Sequence, residues 1–370
     1  MQRALAAGAI AWAIGLAVAA PNLRILADPV TYPQRYDLVA RQVADPFVRA
    51  GGVWDGDFMA YRILVPGAIH LTGLPAWTAV AAIWFAGLLT LALVWVYLAT
   101  YTTHRTAWLK TIGLACTPLI QGSHIYVGYP DAVGWLIVMA LALRPPAAWW
   151  GVGACLVMFN DERGLVALPF ALALALYDER HDVPALISAA RPIAAAVAAG
   201  LAAALVLRWI IATGLLGGAP VPEGLLPRGP GFDSLSPFHL AGLALAFKAY
   251  WVLVAWAGVV AATERTARPY WLAVASVTLV AIAACGQVFD FWRGLATLFP
   301  LVLLAARVLH DHHPPALARA LPALTLAMVA LPQLEQMNEQ IRWLRPLPLA
   351  LYEWRTGASL ADVLRGLLSL

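Results

Sequence analysis

The run "AWTAVAAIWFAGLLTLALVWVYLAT", Ala76 to Thr100, contains no charged side chain and presents no polar face. As a helix rising about 1.5 Å per residue it outspans the roughly 30 Å hydrocarbon core of a bilayer. A helix of a soluble domain keeps a polar stripe toward water; one that is apolar all round is buried in a large core or in lipid. This run therefore reads as a membrane helix.

Similar runs recur along the chain: 4–20, 108–123, 130–143, 147–159, 164–177, 193–213, 239–261, 270–288, 294–308 and 317–331. With 76–100 they predict an all-α, polytopic bundle of about eleven membrane helices over residues 1–331, followed by a tail, 332–370. Composition agrees. The chain is 62% hydrophobic, with a mean hydropathy of +0.76, and only 12% charged, against about 25% charged in an ordinary soluble domain. Net charge is +4 without a basic block, which argues against nucleic acid. Cys116, Cys155 and Cys285 lie within apolar runs, as small buried side chains rather than a disulfide framework. Residues 1–20 have the shape of a signal peptide, but Pro21 follows the small residues directly, so a retained first helix is expected.

Lys and Arg in short connections set the orientation. With the N-terminus in the cytoplasm, Arg3, Arg105, Lys110, Arg144, Arg180, Arg191, Arg265, Arg268, Arg307 and Arg319 fall inside. The outward connections are then 21–75, 124–129, 160–163, 214–238 and 289–293, with the tail. They hold "WDGDFMAYRILVP" (54–66), "HIYVGYPD" (124–131), "NDER" (160–163), "GFDSLSPFH" (231–239) and "FDFWR" (289–293). Each carries at least one carboxylate. Tight connections would bring these groups close to the outer membrane surface, where unpaired burial is costly and function is the default reading.

Each group also has a plain structural reading. Asp161 and Glu162 can cap the helix that starts near Gly164, with Arg163 in a solvated turn. Asp290 and Arg293 can pair across one helical turn. Pro130 and Asp131 suit a first turn, and only the nearness of His124, Tyr126 and Tyr129 suggests more. The long first loop predicts a short helix over Tyr36–Val43 and an apolar one ending near Leu74, with Tyr61 and Arg62 just before it. Asp37, Asp55 and Asp57 are the candidates for a general base on that loop. The Gly- and Pro-rich 214–238 is expected to be flexible, as a linker or as a lid. "HDHHPP" (310–315) reads as a solvated loop rather than a metal site. The stretch 359–370 has the stripe and capping box of an amphipathic helix.

Taken together, "AYRILVP" (60–66), "GYPDAVGWL" (128–136), "NDERGLVALP" (160–169) and "FWRGLATLFP" (291–300) in a many-helix layout with a long acidic first outward loop resemble the GT-C glycosyltransferases. The resemblance spans about residues 30 to 310. It implies a cell-envelope enzyme of the plasma membrane, the inner membrane of a bacterium, that transfers sugar from a polyprenyl-phosphate carrier on the extracytoplasmic face. The family's acidic pair after the first helix is absent, since Asp28, Asp37 and Asp45 occur singly. The resemblance implies an outward aspartate as base, arginines among Arg62, Arg163 and Arg293 at the lipid phosphate, and a cavity for the polyprenyl chain. Substrate contacts would also come from Tyr61, His124, Tyr129, Asp131, Asp161, Glu162 and Asp290. A divalent ion is compatible but not required, and no metal ligands are assigned. A transporter or lipid flippase, or a non-catalytic membrane subunit, remains an alternative at this stage.

Overall fold

The computed structural model describes residues 1–23, 27, 34–47, 61–216, 237–286, 291–337 and 340–357. Its helices are α1 (Gln2–Val18), α2 (Gln34–Ala44), α3 (Leu64–Thr72), α4 (Trp77–Ala99), α5 (His104–Ala115), α6 (Pro118–Ile125), α7 (Asp131–Ala142), α8 (Ala147–Asn160) and α9 (Gly164–Ala175). There follow α10 (Val183–Ala212), α11 (Pro237–Phe247), α12 (Trp251–Thr263), α13 (Arg268–Cys285), α14 (Phe291–Gly294), α15 (Phe299–His312), α16 (Pro314–Ala330), the strands β1 (Leu334–Met337) and β2 (Gln340–Trp343), and α17 (Leu347–Thr356). Among the described residues, five helical stretches are long and apolar enough to cross a membrane: α4, α10, α11–α12, α13 and α14–α15. The molecule is an all-α bundle with the character of a membrane protein.

Prolines and short polar caps cut the apolar runs into these elements. The predicted run 108–123 is two helices, because Pro118 forces Thr117 into an extended conformation and the Thr117 hydroxyl then caps α6. The predicted helix at 193 instead begins at Val183, where Asp182 accepts from the Ala185 amide at 3.0 Å. Pro192 lies inside α10 without ending it, as membrane helices tolerate. Lys248, at φ 43°, marks a 3₁₀ break between α11 and α12. A non-glycine residue in that region of backbone space is uncommon and costs energy.

The stretch Phe291–His312 is the centre of the bundle, with 94% of its apolar window buried, whereas α10 and α13 lie at the edge with 17% each. Lipid tails are as apolar as leucine, so helix pairing relies on close backbone contact at small residues. A Cβ at Gly8 would meet the Leu88 carbonyl oxygen at 2.7 Å, and one at Gly15 the Ala115 carbonyl oxygen at 2.7 Å. On the other flank α8 and α10 touch at glycine: a Cβ at Gly151 would lie 2.6 Å from the Ala196 carbonyl oxygen, and one at Gly200 would collide with Gly151 itself.

In the long first loop, α2 and α3 match the two short helices predicted there. The segments 48–60, 217–236, 287–290 and 358–370 lie outside the described residues, and with them Asp55, Asp57, Asp290, most of the 214–238 loop and all of the predicted amphipathic helix at 359–370. The described part of the tail holds an antiparallel hairpin, with Leu334 opposite Trp343 and Met337 opposite Gln340. It is tied to the end of α1 by the Ala20 amide donating to the Arg345 carbonyl at 2.8 Å.

Candidate functional site

The turn at "NDER" starts the site. Asn160 ends α8, and its amide donates to the Pro130 carbonyl at 2.9 Å, holding the end of α8 against the start of α7. Asp161 is extended (φ −162°), and its Oδ1 accepts the Arg163 backbone N–H at 3.1 Å while its carbonyl accepts from Gly164 at 2.9 Å. The plain capping role therefore exists. The side chains go further. Arg163 Nη2 lies 2.5 Å from Asp161 Oδ2 and 2.8 Å from Asp131 Oδ1.

From Asp131 the network continues to Arg293, whose Nε is 3.1 Å from Asp131 Oδ2. From Asp161 it continues to Arg62 Nη1 at 2.9 Å, and Arg62 Nη2 reaches Glu162 Oε1 at 2.9 Å. Glu162 Oε2 lies 3.6 Å from Nη2 of Arg208, which also donates to the Met158 carbonyl. The result is a continuous series of alternating charges: Arg293, Asp131, Arg163, Asp161, Arg62, Glu162, Arg208. Arg208 is fully buried, and Arg62, Asp131, Asp161 and Arg293 are each no more than 6% exposed.

Aromatic rings flank both ends of the series. The Arg293 guanidinium lies 3.9 Å from the centre of the Tyr129 ring and 5.1 Å from that of Tyr126, and Arg208 lies 4.7 Å from the centre of the Tyr61 ring. These are favourable cation–ring placements that also exclude water. Arg293 threads past α6 where Gly122 leaves room: a Cβ there would stand 3.0 Å from Arg293 Cγ. Gly128, at φ 95°, supplies the turn that brings Tyr129 and Asp131 round. Burial opposes ionisation of Asp161, but the Arg163 and Arg62 guanidinium groups outweigh it and hold its carboxyl well below the usual range. A crevice of about 10 Å³, lined in part by Gln42, Arg62, Gly128 and Pro130, opens beside the network; that is about the space of one water.

Of the residues expected at the site, Tyr61, Arg62, Tyr129, Asp131, Asp161, Glu162, Arg163 and Arg293 are brought together. His124 is turned elsewhere: it accepts from Trp12 Nε1 at 2.8 Å and packs edge-on against Trp12 and Trp84, as a core histidine. Asp37 pairs with Arg41 one turn along α2 at 2.6 Å, on an exposed face. Sequence reasoning missed Arg208, a lone arginine in an apolar run, and the tail residues Gln333, Glu335 and Gln336, all buried. The signal for the first was its isolation in an otherwise uncharged helix. Among the described residues no group of three or more His, Cys, Asp or Glu is placed to hold a metal. Arginine engages all three clustered carboxylates, so they do not fit a divalent ion.

The chain matches no family model, and no curated protein matches it.

A second polar cluster joins the opposite ends of these helices. Glu264 pairs with Arg180 at 3.4 Å and His312 at 3.0 Å, and accepts from Trp271 Nε1 at 2.6 Å. Asp311 accepts from Tyr177 at 2.9 Å, Arg307 pairs with Asp178 at 2.9 Å, and His313 stacks on Trp256. The "HDHHPP" stretch spans the end of α15 and the start of α16 and is exposed from Asp311 to Pro315, in line with the solvated reading, while Asp311, His312 and His313 link it singly to neighbouring connections.

Proposed function

We propose that this protein is an integral membrane glycosyltransferase of the GT-C kind, moving a sugar from a polyprenyl-phosphate donor to an acceptor on the extracytoplasmic face. The observation that carries the reading is the convergence of Arg62, Arg163, Arg208 and Arg293 at one end of the bundle. Burying four guanidinium groups is expensive, and membrane-embedded charge is kept where it works. A planar guanidinium matches phosphate oxygens bidentately.

The finer architecture belongs to the same proposal. It comprises about eleven crossings, with the N-terminus cytoplasmic and the arginine-rich end outward. Support comes from the positive-inside bias of the short connections that meet at the opposite end, among them Arg144, Arg180 and Arg307.

In the reaction, a carboxylate takes the proton of the acceptor hydroxyl. The freed oxygen attacks the anomeric carbon, and the bond to the polyprenyl phosphate breaks. Negative charge left on the phosphate is stabilised by the arginines. Asp131, Asp161 and Glu162 are engaged by arginine and serve to orient it, which leaves Asp55 and Asp57 as the preferred bases, with Asp37 set apart by its Arg41 pair. The test is binding of a polyprenyl-phosphate sugar to the purified protein in lipid nanodiscs, with transfer measured in parallel. Saturable binding weakened by Arg163→Ala supports the reading. No donor binding by the wild-type protein removes it in favour of a transporter.

A further inference from the structure

The arginine end of the bundle is covered by a segment that follows the last long helix. Residues two apart on a strand share a face, and β1 with the residue before it uses this to place Gln333 and Glu335 toward α6. Gln333 donates to the carbonyls of Met328 at 3.0 Å and Leu331 at 2.9 Å, which turns its amide oxygen to accept from Gln121 at 2.9 Å and from Lys248. Glu335 is only 4% exposed, and its Oε2 accepts from the Tyr126 hydroxyl at 2.8 Å. The Tyr126 ring in turn faces the Arg293 guanidinium and meets the Tyr129 ring edge-on at 5.5 Å. Docking a tail needs no carboxylate here, since neutral amides tether it at Gln333 and Gln336. A buried acid costs more than an amide, so its placement against Tyr126 calls for a reason.

We infer that Glu335 is a positioning residue for the phosphate end of the site, holding the Tyr126 ring that stands 5.1 Å from the Arg293 guanidinium and edge-on to the closer Tyr129 ring. The C-terminal hairpin thereby completes a site that the bundle begins. The ligand in this inference rests on the proposed function, while the linkage from Glu335 through Tyr126 to Arg293 does not.

Both parts are tested on the full chain in nanodiscs with Glu335→Ala, Glu335→Gln, Tyr126→Phe and the double variants. One readout is binding of a polyprenyl phosphate; the other is amide hydrogen exchange over 126–131 and 291–295. Glu335→Ala should weaken binding about tenfold and speed exchange in both segments, and Glu335→Gln, which still accepts a hydrogen bond, should recover roughly a third of the loss or more. In the Tyr126→Phe background neither change at 335 should add anything, because the link is already cut. Unchanged exchange at both segments in Glu335→Ala, or losses that simply add, would overturn the inference. Non-additive exchange effects in a protein that binds no polyprenyl phosphate would uphold the linkage and overturn the ligand instead.

Discussion

Arg163 and Asp131, 32 residues apart in the chain, are bound at 2.8 Å, and the same guanidinium nitrogen contacts Asp161. One arginine thus couples the start of α7 to the turn between α8 and α9.

That bridging position makes Arg163 informative to mutate. Arg163→Ala should weaken polyprenyl-phosphate binding and sugar transfer together, each by about tenfold or more. Arg163→Lys should restore only part, because an ammonium lacks the flat fork that serves two partners at once. Side-by-side binding and transfer assays on the three proteins decide it; full recovery by lysine would mean the site needs only charge.

The base should behave otherwise. Asp55→Asn or Asp57→Asn, whichever removes the true base, should lower transfer by roughly 10²-fold or more while donor binding survives. Wild-type turnover in both variants would move the role to Asp37 or into the arginine network.

Asp161 has a stability signature with a defined pH window. Its folded carboxyl titrates below the ordinary range, so its contribution is fully present above about pH 4 and fades only as pH falls below that toward its folded value. Asp161→Asn leaves two buried arginines short of a partner and should cost on the order of 3 kcal/mol. Thermal unfolding in detergent should show a gap between the two proteins at pH 7 that is undiminished at pH 5. A gap that closes between pH 7 and pH 5 would contradict the depressed carboxyl.

Topology can be read with fused reporters. Sites after Arg105, Arg180 and Arg268 should report the cytoplasm, and one near Gly229 the extracytoplasmic side. Agreement between the 180 and 229 sites would mean that α10, Val183–Ala212, does not cross the membrane.

Much of the arginine cluster was legible because its members sit in short connections, where an apolar chain has few reasons to keep charge. Asp131, Asp161, Glu162, Arg163 and Arg293 all stood out that way. Arg208 did not, since it lies within a helix, and reaching Glu162 depends on how deeply α10 is seated. His124 misled because nearness to Tyr126 in sequence says nothing about which face of α6 it occupies; its ring points to Trp12 and Trp84. The hairpin was illegible for a different reason. Two four-residue strands give no periodicity strong enough to separate them from a loop, and their value lies in contacts with Gln121 and Tyr126 more than 200 positions earlier. Pro118 marks the break at Thr117, but apolar residues on both sides of it make 108–123 read as one run.

The contact between Gly151 and Gly200 has a consequence for the charge at residue 208. Eight residues of helix, about 12 Å of rise, separate Gly200 from Arg208, and both residues are buried. The glycine pair is therefore a fulcrum, and α10 is the arm that carries a guanidinium to Glu162. A single methyl group added at Gly200 would tilt that arm away from α8. The disturbance would be registered as a misplaced positive charge two helical turns away, in a protein whose apolar packing had otherwise barely changed.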